Sequence, residues 1–156
     1  MSFHGVPRFS LDKGDPYFCE CHKTGRLLAE RLGLTEGDYT IAFQSRFGKA
    51  EWLKPYTAEV LTELGGRSLS RLDVICPGFV ADCLETLEEI ATEGREIYQH
   101  TGGGDFHYIP CLNQGEEWVR SFAGILQKHL SGWAKPQQPA ELQQSVARAT
   151  HHGASR

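Results

Sequence analysis

A chain of 156 residues, 40% of them apolar, with 20 acidic against 16 basic side chains and a net charge of −4, is sized for one packed domain. It lacks a Lys/Arg block, which argues against a nucleic-acid partner. No apolar run approaches the roughly 18 residues of a membrane span and no charged-then-apolar leader opens the sequence, so a cytoplasmic protein with at most a peripheral membrane contact is expected.

Runs of strand character alternate with runs of helix character. This is the pattern of βαβ units, and it predicts an α/β fold: a doubly wound parallel sheet of four strands with helices on both faces. The first strand is a stub, since Met1, Ser2 and Phe3 alone precede His4. Residues 14–33 read as a helix, with Asp15 as N-cap, Pro16 in the first position, Leu27, Leu28 and Leu32 on one face, and Gly33 as the stop. Tyr39 to Phe43 reads as a buried strand. A helix beginning near Pro55 carries Val60, Leu61 and Leu64 to the Gly65-Gly66 stop.

Leu72 to Cys76 is the third strand, and it runs into Pro77-Gly78. A helix from about Asp82 to His100 follows, closed by Thr101 and the glycines at 102–104. Phe106 to Ile109 forms the fourth strand. The next helix carries Trp118, Val119, Phe122, Ile125, Leu126 and Leu130 at three- and four-residue spacing, a stripe expected to face the sheet. After Trp133 large apolar side chains thin out. The folded domain is therefore placed at 1–134 and a mobile tail at 135–156.

Cys19, Cys21, Cys76, Cys83 and Cys111 form no C-x-x-C pair, so reduced thiols are expected. Cys19-Glu20-Cys21 without a second cluster reads as ordinary thiols before it reads as a metal clasp.

In open α/β sheets ligands collect beyond the carboxyl ends of the strands. Those positions hold His4-Gly5, then Gln44-Ser45-Arg46, then Phe79 leading to Asp82 and Glu85, then Cys111-Leu112-Asn113. The glycine run at 102–104 precedes a strand, so it is not placed as a phosphate loop. Glu85, Glu89 and Glu93, at i, i+4 and i+8, share one helical face, where each like-charged pair costs roughly 0.2–0.5 kcal/mol. Two readings stand. Asp82-x-x-Glu85 has capping-box spacing and an acidic first turn suits the helix dipole; alternatively the row is a track for a cation. His4 is either a hydrogen-bonded turn residue or a proton acceptor and ligand for a borderline metal. Its place at a strand end, with Gly5 allowing close approach, favours the second.

Four segments, FHGVPRFSLDKGDPY, FQSRFGKAEWLKPYT, CPGFVADCLETLEEI and FHYIPCLN, together resemble the C-terminal half of ferrochelatase, in register from Ser2 to about Leu130. The resemblance implies one of two similar chelatase domains with porphyrin held in the cleft between them, and insertion of Fe²⁺ into protoporphyrin IX to form haem. It implies His4 and Glu85 as catalytic residues. It makes His4, Glu85, Glu89 and Glu93 the residues that handle the metal, and places Gln44, Ser45, Arg46, Trp52, Phe79 and Asp82 along the porphyrin cleft. Cys83 stands where some relatives carry histidine, which leaves its role open. Porphyrin and ferrous iron are the implied partners, with an N-terminal chelatase half supplying the other wall, so the chain reads as a fragment. Some relatives bind a [2Fe–2S] cluster through cysteines of a C-terminal extension; no cysteine follows Cys111, so no such cluster and no other cofactor is expected. Two further readings remain: an inert α/β binding module, and a chelatase for coproporphyrin or for cobalt.

Overall fold

A computed structural model of the chain describes residues 1–133 and 138–154. They fall into two compact units, Met1–Gln114 and Gly115–Arg156. In the first unit β1 (Ser2–His4) is followed by a short helix α1 (Arg8–Asp12), then α2 (Tyr17–Leu32), β2 (Ala42–Gln44), α3 (Thr57–Gly66) and β3 (Arg71–Ile75). A single helical rod comes next, made of α4 (Leu84–Thr86), a π-helical run Leu87–Gly94 and α5 (Arg95–His100), before β4 (Asp105–Ile109).

All strand pairing is parallel, as expected for βαβ units, but the expected four-stranded sheet is replaced among the described residues by two sheets of two strands. β1 lies on β2 with Ser2 against Ala42 and His4 against Gln44, while β3 lies on β4 from Arg71 against Asp105 to Ile75 against Ile109. The reason is length. β1 has three residues, too few main-chain groups to sustain a ladder with β2 and a second one with β3.

Each sheet has its own apolar cluster. Phe3, Cys21, Phe43 and Leu53 pack around β1 and β2, and Leu61, Val74, Cys76, Ile90, Tyr98 and Phe106 around β3 and β4. The α2 helix begins with the Tyr17 N–H donating to the Asp15 carboxylate (2.8 Å) and ends at Gly33 in the left-handed region, φ 71°. Its buried face is Cys21, Gly25 and Ala29, whereas Leu27 and Leu32 are exposed, a correction to the leucine face expected from the sequence. Ile41 packs closely against this face: a Cβ on Gly25 would stand 2.5 Å from Ile41 Cδ1.

Tyr98 is fully buried and its hydroxyl donates to the Leu69 carbonyl at 2.8 Å. Gly103 packs flat on the same ring, where a Cβ would overlap it. Gly103→Ala is therefore expected to destabilise the chain by about 1–3 kcal/mol. A chemical-denaturation midpoint checks this, and an unchanged midpoint would mean the loop yields without strain.

In the second unit α6 (Glu116–Leu130) carries Trp118 stacked on Phe122, centroids 5.1 Å apart. Its Val119, Phe122, Ile125, Leu126 and Leu130 are exposed. Where composition suggested a mobile tail, the structure has a helix, α7 (Pro139–His151). Local signals account for it: Gln138 and Glu141 form a capping box, Pro139 sits at the first position, and Leu142 and Val146 are spaced i, i+4. Residues 135–137 and 155–156 of the expected tail lie outside the described residues.

Candidate functional site

The site is built where β1 and β2 end together. The Gly5 N–H donates to the Gln44 carbonyl at 2.7 Å, which extends the pairing one residue past His4. Two further bonds fix the histidine. The Tyr17 hydroxyl donates to the His4 carbonyl at 2.7 Å, and His4 Nδ1 lies 2.7 Å from the Gly5 carbonyl. A carbonyl can only accept, so Nδ1 carries the hydrogen and Nε2 is left with its lone pair. Burial first, and then the Cys21 thiol, push the Tyr17 phenol up, keeping it a donor to His4. Phe79 lies beside the imidazole with centroids 6.2 Å apart at 45°.

Gln44 and Ser45 are both buried and tie this corner to the helical rod. Gln44 Oε1 accepts from Ser2 Oγ at 2.6 Å and from Cys76 Sγ at 3.5 Å, while Nε2 donates to the Glu85 carbonyl at 2.5 Å. Ser45 stands in the left-handed region, φ 62°, a conformation costly for a residue with a Cβ. Glu89 offsets that cost. Its Oε1 accepts from the Ser45 N–H at 2.6 Å and its Oε2 from the Ser45 hydroxyl at 2.5 Å.

The acidic row is thus not a uniform track. Glu85 stands in α4, while Glu89 and Glu93 stand in the π-helical run, whose i to i+5 bonding breaks the α-helical register read from the sequence. Glu85 is half-buried, and hydrogen bonds from the Cys83 thiol and from its own backbone N–H, with a smaller contribution from the His4 charge, hold its carboxyl below the ordinary range. Glu89 is occupied by Ser45, and Glu93 is exposed. Among the described residues no three His, Cys, Asp or Glu side chains stand close enough together to hold a metal ion. Cys83 caps the rod, its N–H donating to Thr86 Oγ1 at 3.0 Å.

Asp82, expected along the cleft, locks three segments together. Its carboxylate accepts from the Asn113 amide at 2.7 Å, the Tyr108 hydroxyl at 2.6 Å, the Cys111 N–H at 3.3 Å and Thr86 Oγ1 at 3.1 Å. Burial alone would raise this carboxyl, but the bonds from Asn113, Tyr108 and Cys111 together hold it well below the usual range. A carboxylate with a depressed folded pKa stabilises the fold above its unfolded value of about 3.9 and loses that contribution as pH falls through it. Asp82→Asn is expected to cost roughly 1–2 kcal/mol at neutral pH, allowing for partial exposure, and to flatten the acid limb of stability below about pH 4. Melting curves from pH 7 to pH 3 read both effects; an unchanged acid limb would show that the lock contributes nothing.

Of the remaining cleft candidates, Arg46 is exposed with its guanidinium 4.3 Å over the Tyr56 ring. Trp52 is half-buried behind Gly5, its Nε1 donating to the Phe47 carbonyl at 2.9 Å. Sequence reasoning missed Tyr17, Ser2 and Thr57. Ser2 Oγ lies 2.8 Å from Thr57 Oγ1 and completes the buried chain under Gln44. No local pattern marks these residues, because each acts through a partner at least 13 positions away.

A family model described as Ferrochelatase matches residues 1–130. A ferrochelatase of Chromobacterium violaceum is 61% identical over 155 residues, covering 99% of this chain and 42% of the relative. One of Dechloromonas aromatica is 58% identical over 156 residues, again covering 42% of the relative. One of Nitrosomonas europaea is 63% identical over 134 residues, covering 86% of this chain and 37% of the relative. The chain spans about two fifths of the length of the curated relatives it matches.

Proposed function

The chain belongs to the ferrochelatase family, and from that premise we propose that it forms one wall of a site at which Fe²⁺ enters protoporphyrin IX to give haem, the other wall coming from the remainder of a longer protein. The observation that carries this reading is the orientation of His4: Nδ1–H is committed to the Gly5 carbonyl, Nε2 keeps its lone pair, and the ring stands beside Phe79.

Metallation must remove two pyrrole protons for each Fe²⁺ that enters. His4 Nε2 accepts one pyrrole proton, releases it to solvent and then accepts the second, and the Glu85 carboxylate stabilises the imidazolium formed each time, consistent with the attraction between the two groups. Phe79 offers an apolar face to the macrocycle. An imidazole with carboxylates is a ligand set that exchanges waters readily for a better one, which suits a metal in transit. His4 and Glu85 are the inner pair in this reading, with Glu89 and Glu93 farther along the rod. Gln44 and Ser45 position the corner, and Arg46 and Trp52 border it.

The test is a chimera in which residues 1–156 replace the matching stretch of the Chromobacterium violaceum relative. The chimera is expected to form haem from Fe²⁺ and protoporphyrin IX at a rate within about tenfold of the intact relative, with which the chain is 61% identical over 155 residues. A folded chimera that binds porphyrin but forms no haem with Fe²⁺ would overturn the reading; turnover with Co²⁺ alone, or only with coproporphyrin, would reassign the metal or the porphyrin.

A further inference from the structure

Gly5 supplies the carbonyl that holds the His4 ring, and its neighbours leave no room there for a side chain. A Cβ on Gly5 would stand 2.9 Å from the Gln44 carbonyl oxygen and 3.2 Å from Trp52 Cε3. Glycine restrains its own backbone least of all residues. The Gly5 carbonyl must therefore be kept on Nδ1 by something other than local sterics.

The peptide between His4 and Gly5 is held at both ends. Its N–H donates to the Gln44 carbonyl at 2.7 Å. The two polar groups of a trans peptide point opposite ways, so its oxygen is turned away from β2, and there it accepts from the Tyr17 hydroxyl at 2.7 Å. Tyr17 is itself anchored. It is the first residue of the 16-residue α2, its N–H is capped by Asp15, and its ring packs on the cluster around β1 and β2. A phenol has one hydrogen to donate, and the His4 carbonyl takes it.

We propose that Tyr17 is a positioning residue for His4: by pinning this peptide it presents the Gly5 carbonyl to Nδ1, and so selects the tautomer that leaves Nε2 without a hydrogen. Without the hydroxyl the peptide is tied at one end, the Gly5 carbonyl moves off Nδ1, and the ring hydrogen can sit on either nitrogen. The consequence for turnover rests on the metallation reading, whereas the effect on the ring does not.

Tyr17→Phe removes the oxygen and keeps the ring. Tyr98→Phe is the control, since it also removes a phenol bonded to a main-chain carbonyl, that of Leu69 at 2.8 Å, but in the other apolar cluster. Both variants of the full chain are labelled with nitrogen-15 histidine and read by NMR at about pH 9, where imidazole is neutral. The His4 signals are those lost in His4→Ala. Tyr17→Phe is expected to shift the balance from Nδ1–H toward Nε2–H by about tenfold, the effect of losing one hydrogen bond. Tyr98→Phe should leave the balance unchanged while lowering the melting temperature by a similar amount. In the chimera, Tyr17→Phe is expected to lower kcat about three- to tenfold with the porphyrin KM within about a factor of two, and Tyr98→Phe to keep both. An unchanged tautomer balance in Tyr17→Phe would overturn the proposal, and so would equal shifts in the two variants, which would reduce the effect to stability. A shifted balance with unchanged turnover would uphold the positioning and count against His4 as the proton acceptor, so the two failures are told apart.

Discussion

His4→Ala, made in the chimera described above, is expected to lower haem formation by about 10²–10⁴-fold while porphyrin affinity stays within a factor of a few. That range is typical for loss of a positioned general base. The split between rate and affinity follows from where the imidazole acts. Proton removal concerns the reacting centre alone, whereas porphyrin binding is spread over a large apolar surface to which Phe79 contributes. Among the described residues the His4 side chain bonds to its neighbour Gly5 alone, and the contacts that hold the corner, Tyr17 to the His4 carbonyl and Gly5 to Gln44, run through main-chain atoms that alanine keeps. The folded state should thus survive the substitution. Initial rates beside a porphyrin fluorescence titration separate the outcomes; a parallel loss of affinity and melting temperature would make His4 a structural residue.

The second large effect is expected at Glu89. Glu89→Ala removes the acceptors for both the N–H and the hydroxyl of Ser45, leaving a buried residue in the left-handed region without the bonds that hold it there. A loss of about 2–4 kcal/mol is expected, from stranded donors together with released backbone strain. Glu89→Gln keeps an acceptor for the Ser45 N–H and places an amide donor against the hydroxyl oxygen, so its loss should be less than half as large. Glu93→Ala, at an exposed position in the same run, should move stability by no more than about 0.5 kcal/mol. If the row were only a set of mutually repelling carboxylates, removing Glu89 and removing Glu93 would each stabilise slightly. Denaturation midpoints of the three variants decide between the two pictures, and a Glu89→Ala chain as stable as the parent would refute the clamp.

Much of the architecture was legible in the chain because it is written in short-range signals. Alternating strand and helix runs, Asp15-Pro16 before a helix and Gly33 after it, and the stop at Gly65-Gly66 each depend on neighbours a few positions apart, and the structure places elements at all of them. His4 and the segments at the strand ends were legible for the same reason: parallel strands bring their carboxyl ends to one edge whatever the details of packing.

What the sequence could not decide was how those residues divide their bonding capacity. Three glutamates at even spacing look equivalent until a π-helical run changes their register and Ser45 captures one of them. Nothing in the sequence around Asp82 announces the bonds it accepts from Tyr108 of β4 and from Cys111 and Asn113 just after that strand. The leucines of α2 outrank its small residues in hydrophobicity, yet Cys21, Gly25 and Ala29 are the ones buried, with Ile41 packed so close that a Cβ on Gly25 would stand 2.5 Å from its Cδ1. The division of the sheet is a matter of tertiary pairing. Pairing is a property of two edges meeting, and a three-residue β1 can be matched to β2 but not to β3 as well.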